Sequence, residues 1–159
     1  MSEKQRPYDV PEAIRRAAHC KALRERVGMN QDALARAAGV TVRSVTRWES
    51  PEGAGNCPDD VLDLLAAALE RQRDVVDVAV SRAIALADSM PSDSMPTIRL
   101  LYYPNQSTYD MLHKRDKGYY GIANANARAT AQELEAEGFT VEWKYADESD
   151  IGQYEYTMV

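Results

Sequence analysis

Cysteine and histidine, the residues most often recruited for metal ligation and covalent chemistry, are scarce in this 159-residue chain, at two each. Cys20 and Cys57 have no paired or metal-ligand spacing and read as reduced, buried thiols. His19 sits among alanines of a helical segment, and His113 lies in the polar run His113-Lys114-Arg115. Neither has a nucleophile or carboxylate at a telling spacing. No glycine-rich loop of the kind that cradles phosphate occurs, and Glu133, Glu135 and Glu137 read as a solvated helix face. The sequence therefore predicts no enzyme, no catalytic residue, no metal site and no cofactor. No apolar run approaches the roughly 20 residues that span a bilayer. The opening MSEKQRPYDVPEAIRR lacks the apolar segment of a signal peptide, so the expected location is cytoplasmic, with no membrane partner.

Positive charge is also short overall, with a net charge of −6. Its distribution matters more. Residues 15–47 hold eight basic side chains against two acids, Glu25 and Asp32, a local charge of +6. Residues 61–159 hold nine basic and sixteen acidic residues, a charge of −7. A basic head joined to an acidic body suits a chain whose first part meets a polyanion.

The segment 23–50, LRERVGMNQDALARAAGVTVRSVTRWES, explains what that head is for. A first helix, opened by Pro11 and Glu12, ends at Val27 and Gly28, with Ile14, Ala18, Leu23 and Val27 facing the core. Asn30 caps a short second helix whose small residues, Ala35 and Ala38, permit close approach of the next. Gly39 accepts the positive φ of a tight turn. Thr41 then opens a third helix over 42–49. Leu34, Val40, Val45 and Trp48 are expected to bury together, leaving Thr41, Val42, Arg43, Ser44, Thr46 and Arg47 outward. Such a helix suits the major groove of DNA. Arg43 and Arg47 are the sharpest base-reading candidates, because a guanidinium fork matches guanine O6 and N7. Val42 suits a thymine methyl, Thr41 serves as cap and phosphate donor, and Gln31 stands at a helix N-terminus where an anion is favoured.

The turn-forming run 50–56 is followed by Pro58 and a breaker-free helix to about residue 87, some 45 Å long. Its first half completes the head. Its second half needs another apolar partner, either the C-terminal part of the chain or a second copy. A polar run at 70–74 allows a break. Residues 89–96 read as a linker. Beyond them, 97–103 (TIRLLYY) reads as a strand, 107–114 as a short helix and 119–122 as a second strand. A helix from Asn124 or Asn126 to Gly138 follows. Then Phe139, Val141, Trp143 and Tyr145 alternate with polar residues as a strand with one buried face. The tyrosines Tyr102, Tyr103, Tyr109, Tyr119, Tyr120 and Tyr145 suit either an interface or a sheet core.

Residues 14–69 resemble the Cro/C1-type (XRE-like) helix-turn-helix repressors in the Arg24 position, the MNQDALA opening of helix two, the Gly-Val-Thr turn and the Trp48-Glu49 pair. The resemblance implies base reading by Thr41, Val42, Arg43, Ser44 and Arg47. It implies DNA-backbone contacts by Gln31, with Asn30 and Thr46 beside it, and a structural ion pair between Arg24 and Glu49. The order of VRSVTRWESPEGAGNCPDDV, long helix, linker, IRLLYY and small α/β tail is similar to the anti-CRISPR-associated (Aca-type) autorepressors of phages and mobile elements. In those, the C-terminal part makes a dimer.

The expected architecture is mainly α: a five-helix helix-turn-helix domain with an extended helix, then a small α+β (β-α-β-α-β) dimerisation domain. The expected division is an arm at 1–10, the DNA-binding domain at 11–88, a linker at 89–96, the dimerisation domain at 97–146 and an acidic, frayed tail at 147–159. The expected function is repression by a homodimer, paired through residues 75–146, on an inverted-repeat DNA operator. Two alternatives stand beside it: an antitoxin-like or host-factor-binding protein, and a monomeric repressor touching DNA with both domains.

Overall fold

Four helices precede the first strand, and local chemistry sets their ends. A computed structural model describes residues 11–52, 55–91 and 95–152, with the backbone of 156–158. The arm expected at 1–10 lies outside the described residues. Helix α1 (Glu12–Val27) stops at Gly28, whose φ of 93° is left-handed, and α2 (Gln31–Ala38) stops at Gly39 with φ 69°. Asn30 Oδ1 accepts from the Ala33 amide at 2.7 Å to cap α2, and Thr41 Oγ1 accepts from Ser44 N at 3.2 Å to cap α3 (Val42–Trp48).

Helix α4 (Asp59–Asp88) runs unbroken for 30 residues, through the polar run where a break was allowed. Its N-terminal half closes a core with Cys20, Leu23, Val27, Leu34 and Val45, all buried. Full burial of each such aliphatic side chain contributes about 1.5–3 kcal/mol. Arg16 on α1 fastens the start of α4, donating to Cys57 O at 2.6 Å and to Asp59 at 2.5 Å. Gln72 of α4 donates to Arg26 O at 2.9 Å, satisfying a carbonyl in the last turn of α1. Two core expectations fail: Ala18 is exposed, and Val40 is 36% exposed because it leaves the turn on the solvent side.

Strand β1 (Thr97–Tyr102) is the centre of a three-stranded sheet of order β2-β1-β3. It pairs in parallel with β2 (Thr140–Tyr145) and antiparallel with β3 (Tyr156–Met158). A parallel pair needs a long crossover, supplied by α5 (Gln106–Leu112) and α6 (Tyr120–Ala136). Helix α6 covers one sheet face with Ala131 and Leu134, and Ala83 of α4 joins that core. One stripe of the second half of α4, Val76, Ala79 and Ala83, thus finds cover within its own chain, while Val75, Val78, Ile84 and Leu86 stay exposed.

Three expectations are corrected here. The described residues ahead of β1 form four helices, not five. The strand expected at 119–122 is instead the first turn of α6, since the alanine-rich sequence that follows favours helix over the local β preference of Tyr-Tyr-Gly-Ile. The tail expected to fray holds a 3₁₀ turn at Glu148–Asp150 and the strand β3. The second part is therefore β-α-α-β-β.

The start of α6 presses on the end of α1. A Cβ on Gly28 would run into the Gly121 carbonyl and approach Ala125 Cβ to 2.6 Å. Ile122 packs on the helix-turn-helix core. At the far side, buried Asn124 grips the end of β1, accepting from Tyr103 N at 2.7 Å and donating to Tyr103 O at 2.9 Å.

Candidate nucleic-acid interface

The third helix owes its angle to one buried ion pair. Arg24 on α1 donates from Nε to Glu49 Oε1 at 2.5 Å and from Nη2 to Oε2 at 2.9 Å, with Nη1 on Met29 O at 2.8 Å. Both residues are 7% exposed. Burial alone would raise the Glu49 carboxyl, but hydrogen bonds from Arg24 and Gln31, with the Arg24 charge, bring it below its ordinary value. The same hydrogen bond from Arg24 outweighs burial and raises the guanidinium. The fork geometry fixes α3 relative to α1, because two parallel bonds restrict rotation that one would allow.

Gln31 extends this network. Its Nε2 donates to Glu49 Oε2 at 3.0 Å, while its Oε1 accepts from Thr46 Oγ1 at 3.2 Å. Thr46 Oγ1 also lies 3.0 Å from Val42 O. Gln31 therefore couples α2 to α3, and its second amide proton faces no recorded acceptor among the described residues. Nothing in the local spacing signals that link, since the partners lie 15 and 18 positions away. Asn30 uses its Oδ1 as a cap, and Thr41 Oγ1 is shared between Ser44 N and, at 3.1 Å, Ser44 Oγ.

The opposite face of α3 is different. Val45 is fully buried and Trp48 packs partly buried on the same core. Arg43 and Arg47, four residues apart and so on one face, are exposed. Neither has a hydrogen bond or ion pair among the described residues. Val42 is 40% exposed between them and the turn. Two like charges without an internal counter-ion create a local positive potential that an external anion relieves.

Elsewhere a cluster of tyrosines with His113 is engaged in structure. Tyr103 Oη and His113 Nε2 lie 2.7 Å apart, and the His113 ring stacks on Tyr109 at 4.3 Å. Tyr109 donates to Asp116 at 2.7 Å. Tyr103 and Tyr109 are thus core, whereas Tyr145 is 69% exposed. Cys20 and Cys57 are free and buried, and burial raises both thiols. Among the described residues no group of three or more His, Cys, Asp or Glu side chains is placed to hold a metal. Among the described residues no helix is long and apolar enough to cross a membrane.

No curated protein matches the chain. Residues 17–79 match the family model of a helix-turn-helix domain. That span takes in most of α1, all of α2 and α3 and the first two-thirds of α4, so this part of the chain carries a helix-turn-helix domain, which points to a DNA-binding regulator.

Proposed function

We propose that the protein is a sequence-specific transcriptional repressor that binds an inverted-repeat operator as a homodimer. The observation that carries this reading is the pair Arg43 and Arg47, exposed and without partners among the described residues, on the outer face of a helix whose inner face is locked to the core. In this reading α3 enters the major groove. Arg43 and Arg47 read guanines, Val42 meets a thymine methyl, and Thr41 and Ser44 reach base or sugar edges at the helix start. Gln31, through its remaining amide proton, with Asn30 and Thr46, meets the backbone and sets the register. Two such helices in a dimer address half-sites about 34–36 Å apart. Repression is steric, by covering a promoter, and uses no enzyme activity and no cofactor.

The test is selection from random duplexes followed by binding titration and mass measurement of the complex. Expected are two chains per palindromic duplex and a loss for Arg43→Ala confined to the selected sequence. Equal loss on selected and random DNA sinks base reading, and one chain on an asymmetric site sinks the dimer.

A second reading gives the C-terminal part a share of the DNA. A cleft of about 580 Å³ beside α2 is lined by Arg36 of α2, by Asp110 of α5 and by Lys114, Asp116 and Lys117 from the α5–α6 connection, three cations against two acids. In that reading Lys114→Glu weakens all sequences alike and lowers the salt dependence.

A further inference from the structure

Strand β2 is an edge of the sheet, paired on one side only among the described residues. Natural edges are blunted by proline, bulges, short length or charge. Thr140–Tyr145 has no proline over its six residues, and its only such device is the pair Glu142 and Lys144. The face expected to be buried is bare at its end: Phe139 is 4% exposed, but Trp143 is 44% and Tyr145 69% exposed. Their rings stand edge-on to Tyr102 at 5.7 and 6.4 Å, so the three make one aromatic patch at the sheet margin.

The backbone says which groups of β2 are unpaired. Ala146 N donates to Tyr102 O at 2.9 Å, towards β1. Successive residues of a strand alternate, so 144 and 142 also direct their amides to β1, while Val141, Trp143 and Tyr145 direct theirs to the open edge. A partner strand must form its hydrogen-bonded pairs with these odd positions.

We infer that this edge pairs antiparallel with β2 of a second copy, with the two-fold axis passing through Trp143, so that two three-stranded sheets become one. The inference rests on the homodimer reading above and names its surface. Charge selects the register. With Trp143 opposite Trp143 of the second copy, Glu142 faces the partner's Lys144 and Lys144 faces the partner's Glu142. Those pairs fall at non-hydrogen-bonded positions, where side chains approach most closely. Shifting the axis to residue 142 opposes two glutamates, and shifting it to 144 opposes two lysines. Both alternatives are repulsive, and both shorten the ladder. The central register also pairs Val141 with the partner's Tyr145, twice. Such an interface is isologous, as closed two-fold symmetry requires. Within its own chain Glu142 accepts from Arg99 at 3.0 Å and Lys144 donates to Asp150 at 2.6 Å. The partner's charges extend these pairs into clusters across the seam.

A charge exchange tests it on the full chain. Glu142→Lys alone opposes lysines across the axis, and Lys144→Glu alone opposes glutamates. In sedimentation, wild type is expected at twice the 17.7 kDa chain mass and each variant at the single mass. An equimolar mixture is expected to return to the double mass, which intrachain contacts with Arg99 or Asp150 cannot produce. Variants that stay dimeric overturn the strand pairing while leaving a dimer through another surface, and a mixture that stays monomeric overturns the charge-selected register. A monomeric wild type overturns the dimer reading itself. Trp143→Cys supplies a second arm that needs no charge change. Self-opposed residues at about 5.5 Å between Cα atoms fall within disulfide reach. Oxidation is expected to link two chains through this residue, whereas Glu142→Cys is not, and the reverse pattern overturns the register.

Discussion

Helix α3 and strand β2 both carry charge on an open face, but they dispose of it differently. On β2 and its neighbour β1 the exposed charges are answered within the chain, Arg99 by Glu142 and Lys144 by Asp150. On α3, Arg43 and Arg47 are left without partners among the described residues, while the charge that could have answered them, Glu49, is turned inward to Arg24. The lesson concerns where to look for a polyanion site in an acidic protein. A net charge of −6 says little about α3, where the one acid at the helix end is buried against Arg24 and the two outward arginines are not.

The comparison breaks most easily at the buried pair. Glu49→Ala strands a buried guanidinium and is expected to cost about 3–5 kcal/mol in urea unfolding. Replacing Arg24 and Glu49 together by apolar residues of similar volume should cost far less. Because the folded Glu49 carboxyl titrates below its ordinary value, its contribution is present above the unfolded pKa. That contribution disappears as the pH falls through the folded one. Acid unfolding of Glu49→Ala should therefore lack that segment of pH dependence, and an unchanged profile refutes the assignment.

Next comes the exposed face. Arg43→Ala and Arg47→Ala should each lose about 1–3 kcal/mol of affinity for the selected operator, read by fluorescence anisotropy. Unfolding should stay within about 0.5 kcal/mol of wild type. A large stability loss would mean that these side chains are structural after all.

A comparable effect, on stability alone, is expected at the joint between the two parts. Gly121→Ala adds a methyl where a Cβ meets Gly28 O and the Tyr119 ring, and overpacking of this kind costs about 1–3 kcal/mol. The smallest effect belongs to β1. Arg99→Gln removes a surface ion pair worth less than about 1 kcal/mol and should leave DNA affinity unchanged. A loss of binding there would erase the distinction between the two faces.

Helix ends were legible because their signals are local. Asn30, Gly39 and Thr41 act at the positions where their side chains or φ values are required. The outward position of Arg43 and Arg47 followed from helical period alone. What could not be read depended on distant partners. The Gln31 bridge joins groups that sequence spacing does not relate. The 119–122 segment carries β-prone residues, yet Gly121 and Ile122 are committed to the first domain's backbone and core. Likewise the alternation of 139–145 identified a strand but not how far α6 would reach over it, so Trp143 and Tyr145 were expected inside.

The contact of Gly28 with Gly121 turns the reading head into one jaw of a calliper. A joint without room for a methyl group has little room to swing, so in the proposed dimer the jaw opening would be set by the folded chain and the inferred seam between copies. Each base pair inserted between half-sites moves the second by about 3.4 Å and turns it by roughly 34° around the duplex. On the proposed operator that displacement would have to be taken up by bending DNA or by parting the proposed pair of copies, because the hinge that could have absorbed it is closed.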